Sequence, residues 1–156
     1  MSSISDTNKK EITIKDDILT LDHQLCFALY VSSKEIIRKY KPFLDPLGLT
    51  YTGYITLLAL WEKDNITVKE LGKKLYLDSG TLTPLLKKLE NQGFITRIRS
   101  SIDERNVYIK LTKKGVELKK EAIHIPNELI CSTKLNTENI SQVLTYLHQF
   151  IDDING

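Results

Sequence analysis

The chain has 156 residues, 41% of them hydrophobic, with 22 Lys/Arg against 20 Asp/Glu and a formal net charge of +2. That length suits one domain with a real core, no apolar run approaches the ~18 residues of a membrane span, and the start MSSISDTNKK has no secretory-signal pattern. A cytoplasmic protein without a membrane partner is therefore expected, and its charge is unevenly spread: residues 63–115 hold 12 Lys/Arg against 6 Asp/Glu, net +6, leaving net −4 over the remainder.

Residues 1–17 are polar and read as a flexible N-terminal arm, with 18–156 as one domain. From about Ile18 to Lys41 apolar residues recur at helical spacing, with Leu21, Leu25 and Leu29 followed by Ile36, Ile37 and Tyr40, until Pro42 discourages continuation. Thr50 offers an N-cap for a second helix, and Thr67-Val68-Lys69-Glu70 is a capping box that opens a short third one. Residues 77–93, LDSGTLTPLLKKLENQG, supply a fourth: Asp78, Ser79 or Thr81 can cap it, Pro84 is tolerable only within about the first turn, and Gly93 suits a left-handed stop. Two helices joined by so short a turn form a helix-turn-helix. FITRIR and RNVYIKL then alternate apolar and charged residues around the polar SSIDE and read as a β-hairpin. Thr112 caps a fifth helix running towards Cys131, with a kink at Pro126, and a sixth starts near Asn136 or Thr137. In that last helix Ile140, Leu144, Leu147, Ile151 and Ile154 step by alternating fours and threes, a seam that suits a partner helix. The expected fold class is mainly α with a small β-hairpin wing, a winged helix-turn-helix over residues 50–112.

A basic central segment is what phosphate binding requires, although a solvated surface has the same composition. A helix in the major groove needs short polar side chains near its N-terminus and longer cations further along. Ser79, Thr81 and Thr83 occupy the leading turns of the fourth helix, and Lys87 and Lys88 follow one to two turns later. The hairpin adds Arg97 and Arg99 on a strand and Arg105 beside the tip, where a guanidinium can enter the narrower minor groove. Asp103, two residues away, is placed to hold Arg105 through a charge-assisted bond. The same Ser and Thr residues would equally serve as caps, and the Lys pair as a wet helix face.

The two cysteines, Cys26 and Cys131, stand near opposite ends of the chain, each among apolar residues. With His23, His124 and His148 they make no metal-ligand spacing, so no metal or cofactor is expected. A lone cysteine on an apolar helix is ordinarily a packing residue. Peroxide chemistry asks for more: a thiolate favoured by hydrogen bonds, solvent access, and a route onward from sulfenic acid. Tyr30 lies one turn after Cys26 on the same helix face and can offer its hydroxyl. Tyr40 is fourteen residues on, about 21 Å along a straight helix, and reaches a Cys26 only if a partner chain crosses antiparallel.

The segment DERNVYIKLT, residues 103–112, resembles the D-x-R wing followed by L-T of the MarR transcriptional regulators. LCFALY, LTYTGY and LYLDSGTLTPLLKKLE, in this order and spacing, are similar to the organic hydroperoxide resistance (OhrR) branch of that family, in its two-cysteine type, over about Leu21 to Pro126. The resemblance implies a homodimer joined through helices of residues 18–49 and 113–156, acting as a repressor on double-stranded operator DNA. It implies that Ser79, Gly80, Thr81, Thr83, Pro84 and Lys88 read DNA from the helix, with Asp103 and Arg105 in the wing. For the thiols it implies a sensing Cys26, Tyr30 beside it, Tyr40 and Tyr51 donated by the other subunit, and an intersubunit disulfide to Cys131 after an organic hydroperoxide, the inducer, has oxidised Cys26. Three rival readings stand beside it: a repressor governed by a non-covalent ligand with structural cysteines, a protein-interaction module using the wing, and a thiol peroxidase. Cys26 lacks the Pro/Thr-rich loop usual for the last, so an enzyme is not expected.

Overall fold

Short polar side chains open five helices, each accepting a backbone N–H three residues ahead: Thr50 from Gly53, Thr67 from Glu70, Asp78 from Thr81, Thr112 from Gly115 and Asn136 from Asn139. The computed structural model describes residues 16–156. The expected arm at 1–17 therefore lies, but for its last two residues, outside the described part. The helices are α1 (Leu25–Leu44), α2 (Tyr51–Glu62), α3 (Val68–Leu75), α4 (Ser79–Asn91), α5 (Lys113–Ala122), α6 (Ile125–Cys131) and α7 (Thr137–Asn155). The strands are β1 (Ile66–Thr67), β2 (Ile95–Arg99) and β3 (Val107–Leu111). The expected class, mainly helical with a small wing, is what the chain adopts. Among the described residues no helix is long and apolar enough to cross a membrane.

Several boundaries differ from expectation. The first helix begins at Leu25 rather than Ile18: two single 3-10 turns precede it at Asp16–Leu19 and Leu21–His23, and extended Gln24 interrupts the path while its side-chain amide donates to the Ile18 carbonyl. The same helix runs past Lys41 to Leu44 with Pro42 inside it, because proline's fixed φ is helical and only one hydrogen bond is forgone near the end. Pro84 also lies beyond the first turn, at the sixth residue of α4. The missing N–H would have served the carbonyl of Gly80, which is exposed, and Thr83 Oγ1 ties the same stretch by donating to Ser79 O at 2.7 Å. Pro126 does not kink a continuous fifth helix. The chain ends α5 at Ala122 and starts α6 at Ile125, placing the proline in a first turn, where its lack of an N–H is harmless.

Two compact units divide the chain, Met1–Ile36 and Ile37–Gly156, with the boundary inside α1. In the first, Leu25, Phe27, Tyr30 and Val31 are exposed. In the second, the core is built from α2, α3, α4, the sheet and α5, with Leu57, Leu71 and Ile109 fully buried and Leu82, Leu86 and Leu89 filling the inner face of α4. Spaced by four and three, those three leucines turn the opposite face of α4 to solvent. The sheet is antiparallel in the order β1-β3-β2, with Arg97 opposite Ile109 and Ile66 opposite Ile109 on the other side. β1 was not expected from the sequence. Gly93, at φ +78°, makes the left-handed exit from α4 that the sequence called for. Trp61 Nε1 donates to the Gly115 carbonyl at 2.9 Å and so fastens α2 to α5. No residue of α7 is buried: Leu144 and Ile154 stand open, and Ile151 nearly so.

Candidate functional site

The outer face of α4 collects most of the residues singled out in the sequence for contact with DNA. Ser79, Gly80, Thr81, Thr83, Pro84, Lys87 and Lys88 are all exposed. Asp78 caps the helix, accepting the Thr81 N–H at 2.8 Å and the Thr81 hydroxyl at 3.2 Å. The Thr81 N–H, with its hydroxyl, holds the Asp78 carboxyl below its usual range, so the cap is ionised at neutral pH. Thr81 and Thr83 thus each spend their hydroxyl proton on the helix's own first turn, and either oxygen retains acceptor capacity.

The wing divides its cations into tethered and open ones. Arg97 is drawn onto α4: its Nε and Nη2 lie 2.8 and 2.6 Å from Glu90 Oε2, and its backbone N–H reaches Oε1 at 3.2 Å. The Arg97 guanidinium keeps the Glu90 carboxyl below the ordinary 4.5. Arg99, at the end of β2, is exposed. At the tip, Asp103 Oδ1 accepts from both the backbone N–H and Nε of Arg105, each at 3.1 Å, while the Arg105 side chain stays 90% exposed. The bond expected between these two residues is present. Between α4 and the root of the wing lies a cleft of about 260 Å³ that brings Arg97 and Arg105 together with Thr83 and with Thr67 and Lys69 of the preceding helix start. Sequence reasoning missed Lys69 and Thr67 here, because only the β1–β3 pairing brings that helix start to the wing. It also missed Glu90, whose partner is seven residues away across a turn.

Cys26 and Cys131 are both free thiols and both exposed, one in each compact unit. Solvent access is one requirement of a reacting thiol. In the first unit Tyr30 is also exposed, with the Lys34 ammonium 5.9 Å from its ring centroid. In the second, the Tyr40 and Tyr51 rings meet at a tilt of 54° with 5.1 Å between centroids, and Tyr54 completes the cluster at 5.7 Å from Tyr40 and 6.5 Å from Tyr51. Burial, reinforced by the neighbouring phenols, pushes Tyr40 up to about 12, and burial likewise raises Tyr51 and Tyr54. Their hydroxyls keep their protons at neutral pH and remain hydrogen-bond donors. Tyr54 was not singled out from the sequence, although its place three residues after Tyr51, one helical turn on, was the available signal. Among the described residues no group of His, Cys, Asp and Glu could hold a metal ion.

A helix-turn-helix whose second helix shows a polar and cationic face, followed by a wing carrying a tethered arginine, defines a winged-helix transcriptional regulator. The chain belongs to the SarA/Rot family of MarR-type regulators: the family model "Transcriptional regulator SarA/Rot" matches residues 38–122. It is 48% identical over 141 residues to the organic hydroperoxide resistance transcriptional regulator of Bacillus subtilis (strain 168), covering 90% of this chain and 96% of that one. Among solved structures, reduced AbfR bound to DNA, from the Staphylococcus epidermidis regulator, superposes with a TM-score of 0.74 at 33% identity over 92% of this chain and 100% of its own. The disulfide form of AbfR superposes with a TM-score of 0.63 at 31% identity, over 89% and 94% respectively.

Proposed function

We propose that this regulator is a repressor that binds double-stranded operator DNA as a reduced homodimer and lets go when an organic hydroperoxide oxidises Cys26. The observation that carries the reading is the pairing of an exposed, capped recognition face on α4 with a wing whose Arg105 is both exposed and held by Asp103. In the major groove Ser79, Gly80, Thr81, Thr83 and Pro84 meet base edges and sugar, Lys87 and Lys88 meet phosphates, and Arg105 enters the minor groove. Arg99 adds a phosphate contact from the wing, while Arg97 acts chiefly by bracing β2 on α4 through Glu90. Dimerisation is supported by the open apolar residues of α7 and of the first unit, which a second copy would cover.

The thiol chemistry balances without a cofactor. The Cys26 thiolate attacks the terminal oxygen of the hydroperoxide, the O–O bond breaks, and the alkoxide takes a proton to leave as alcohol; Cys26 becomes a sulfenic acid. The Cys131 thiol of the partner subunit then attacks that sulfur, an S–S bond forms and water departs. Tyr30 of the same chain, with Tyr40 and Tyr51 from the other, donates hydrogen bonds to the thiolate. The protonated state of the tyrosine cluster supports this role. Support also comes from a relative named for organic hydroperoxide resistance and from another solved both reduced on DNA and disulfide-formed. Because two recognition helices must meet half-sites about one DNA turn apart, roughly 34–36 Å, a covalent change in their separation abolishes binding.

The test is the affinity of the reduced protein for DNA from its own upstream region, at stated salt, before and after one equivalent of an organic hydroperoxide. The expected result is loss of binding that a dithiol restores, abolished by Cys26→Ser, with a cross-linked dimer that Cys131→Ser fails to form. Binding unchanged by oxidation would refute the thiol switch and point to a non-covalent ligand.

A further inference from the structure

The wing tip carries a side chain that neither the fold nor the operator contacts above employ. Ile102 is 97% exposed, the most open large apolar residue among those described. Turns favour residues that hydrogen-bond locally or adopt unusual backbone angles, and Ser100, Ser101, Asp103 and Asn106 around it follow that preference. A branched alkyl chain does neither. It has few rotamers to lose, so ordering it against a partner costs little entropy.

The tip is also held in shape. Ser100 Oγ accepts the backbone N–H groups of Ile102 and Asp103 at 3.2 and 3.3 Å. Ser100 N–H donates to the Asn106 carbonyl and Asn106 N–H to the Asp103 carbonyl, each at 2.9 Å. The Asp103 carboxylate adds its bonds to Arg105 and, at 3.3 Å, to the Asn106 side-chain amide. One braced loop between β2 and β3 thus presents an alkyl group and, three residues on, a guanidinium. Minor-groove proteins combine these chemistries: the cation is drawn to the negative potential of a narrow groove, and the apolar chain pries between base pairs at a step that unstacks easily.

We infer that Ile102 is a minor-groove wedge, inserted at a base-pair step beside the groove segment that takes Arg105. It confers preference for operators with a flexible pyrimidine–purine step under the wing, a specificity exercised without hydrogen bonds to bases. The inference rests on the operator binding proposed above and adds a contact that carries no charge. Its loss therefore lowers affinity without changing the salt dependence, whereas loss of a phosphate-binding cation lowers both.

The experiment uses the reduced full-length protein and duplex DNA from its own upstream region, footprinted first, with 2-aminopurine placed in turn at the steps beneath each wing. Failure of the wild type to bind overturns the operator reading and this inference with it; once the wild type binds, the remaining results concern Ile102 alone. The expected result is enhanced 2-aminopurine emission at one step per half-site, lost in Ile102→Ser together with about tenfold of affinity at an unchanged salt slope, and kept in Ile102→Leu. Absence of enhancement with the wild type, or binding by Ile102→Ser within about twofold of wild type, would overturn the wedge.

Discussion

Alanine at Gly115 is expected to destabilise the protein at the joint between wing and α5. A Cβ built there lies 2.1 Å from the Phe94 carbonyl oxygen and 3.1 Å from Leu111 Cδ2, where real Cβ atoms essentially never come closer than 3.0 Å. About an ångström of movement is required, and the obstacle is main chain rather than a pliable side chain. The Phe94 carbonyl is itself held, accepting the Thr112 N–H at 3.0 Å, while the Thr112 hydroxyl donates to the adjoining Gly93 carbonyl at 2.6 Å. Relief must therefore come from α5 lifting off the sheet, which lengthens the 2.9 Å bond from Trp61 to the Gly115 carbonyl and the 3.0 Å bond from the Gly115 N–H to Thr112. Overpacking costs about 1–3 kcal/mol and the two weakened hydrogen bonds about 1 each, against about 1 kcal/mol of helix propensity regained, for a net loss of roughly 2–4 kcal/mol. In a domain of this size that corresponds to a melting temperature lower by about 10 °C. Urea and thermal melts followed by far-UV circular dichroism, at one protomer concentration for both proteins, read the difference. A Gly115→Ala protein as stable as wild type, or more stable as helix propensity alone would make it, refutes the close-approach argument.

Three further outcomes follow from the site. Arg105→Ala and Lys88→Ala should each weaken DNA binding and shallow the logarithmic salt dependence by about one unit, read by fluorescence anisotropy between about 50 and 200 mM salt; unchanged affinity and slope would remove either residue from the interface. Glu90→Gln should release Arg97 and make acid unfolding less steep. The wild-type carboxyl is held below 4.5 in the folded chain, so its contribution is present above that pH and is lost as pH falls through the folded value; identical acid titrations of the two proteins would contradict this. Tyr40, raised to about 12 in the folded chain, stays neutral while the unfolded chain ionises near 10.0, so its contribution is full below pH 10 and declines between pH 10 and 12. Absorbance at 295 nm should accordingly show tyrosines ionising above the ordinary range, and Tyr40→Phe should flatten the alkaline loss of stability.

Much of this protein was legible in its residues because the deciding interactions are short in sequence. The caps at Thr50, Thr67, Asp78, Thr112 and Asn136 join a side chain to an N–H three residues away, and the Asp103–Arg105 bond spans two. Such contacts form within one turn whatever the rest of the chain does, so the helix-turn-helix, the hairpin and the composition of the candidate DNA face could be read directly. Local preference failed at both prolines for different reasons: Pro84 is carried inside α4, where burial of Leu82, Leu86 and Leu89 far outweighs one lost hydrogen bond, and Pro42 stands two residues before the end of α1, where a fixed helical φ costs little. Only the tertiary structure decided the rest. The two-residue strand β1 exists because β3 accepts it, and no periodicity can announce two residues. Arg97 braces the wing because β2 passes Glu90, Tyr54 joins Tyr40 and Tyr51 because α2 packs on the last turns of α1, and Gly115 is required because the Phe94 carbonyl comes within reach. Apart from the one-turn spacing of Tyr51 and Tyr54, each is a contact between elements and does not show in a pattern read along one strand or one turn at a time.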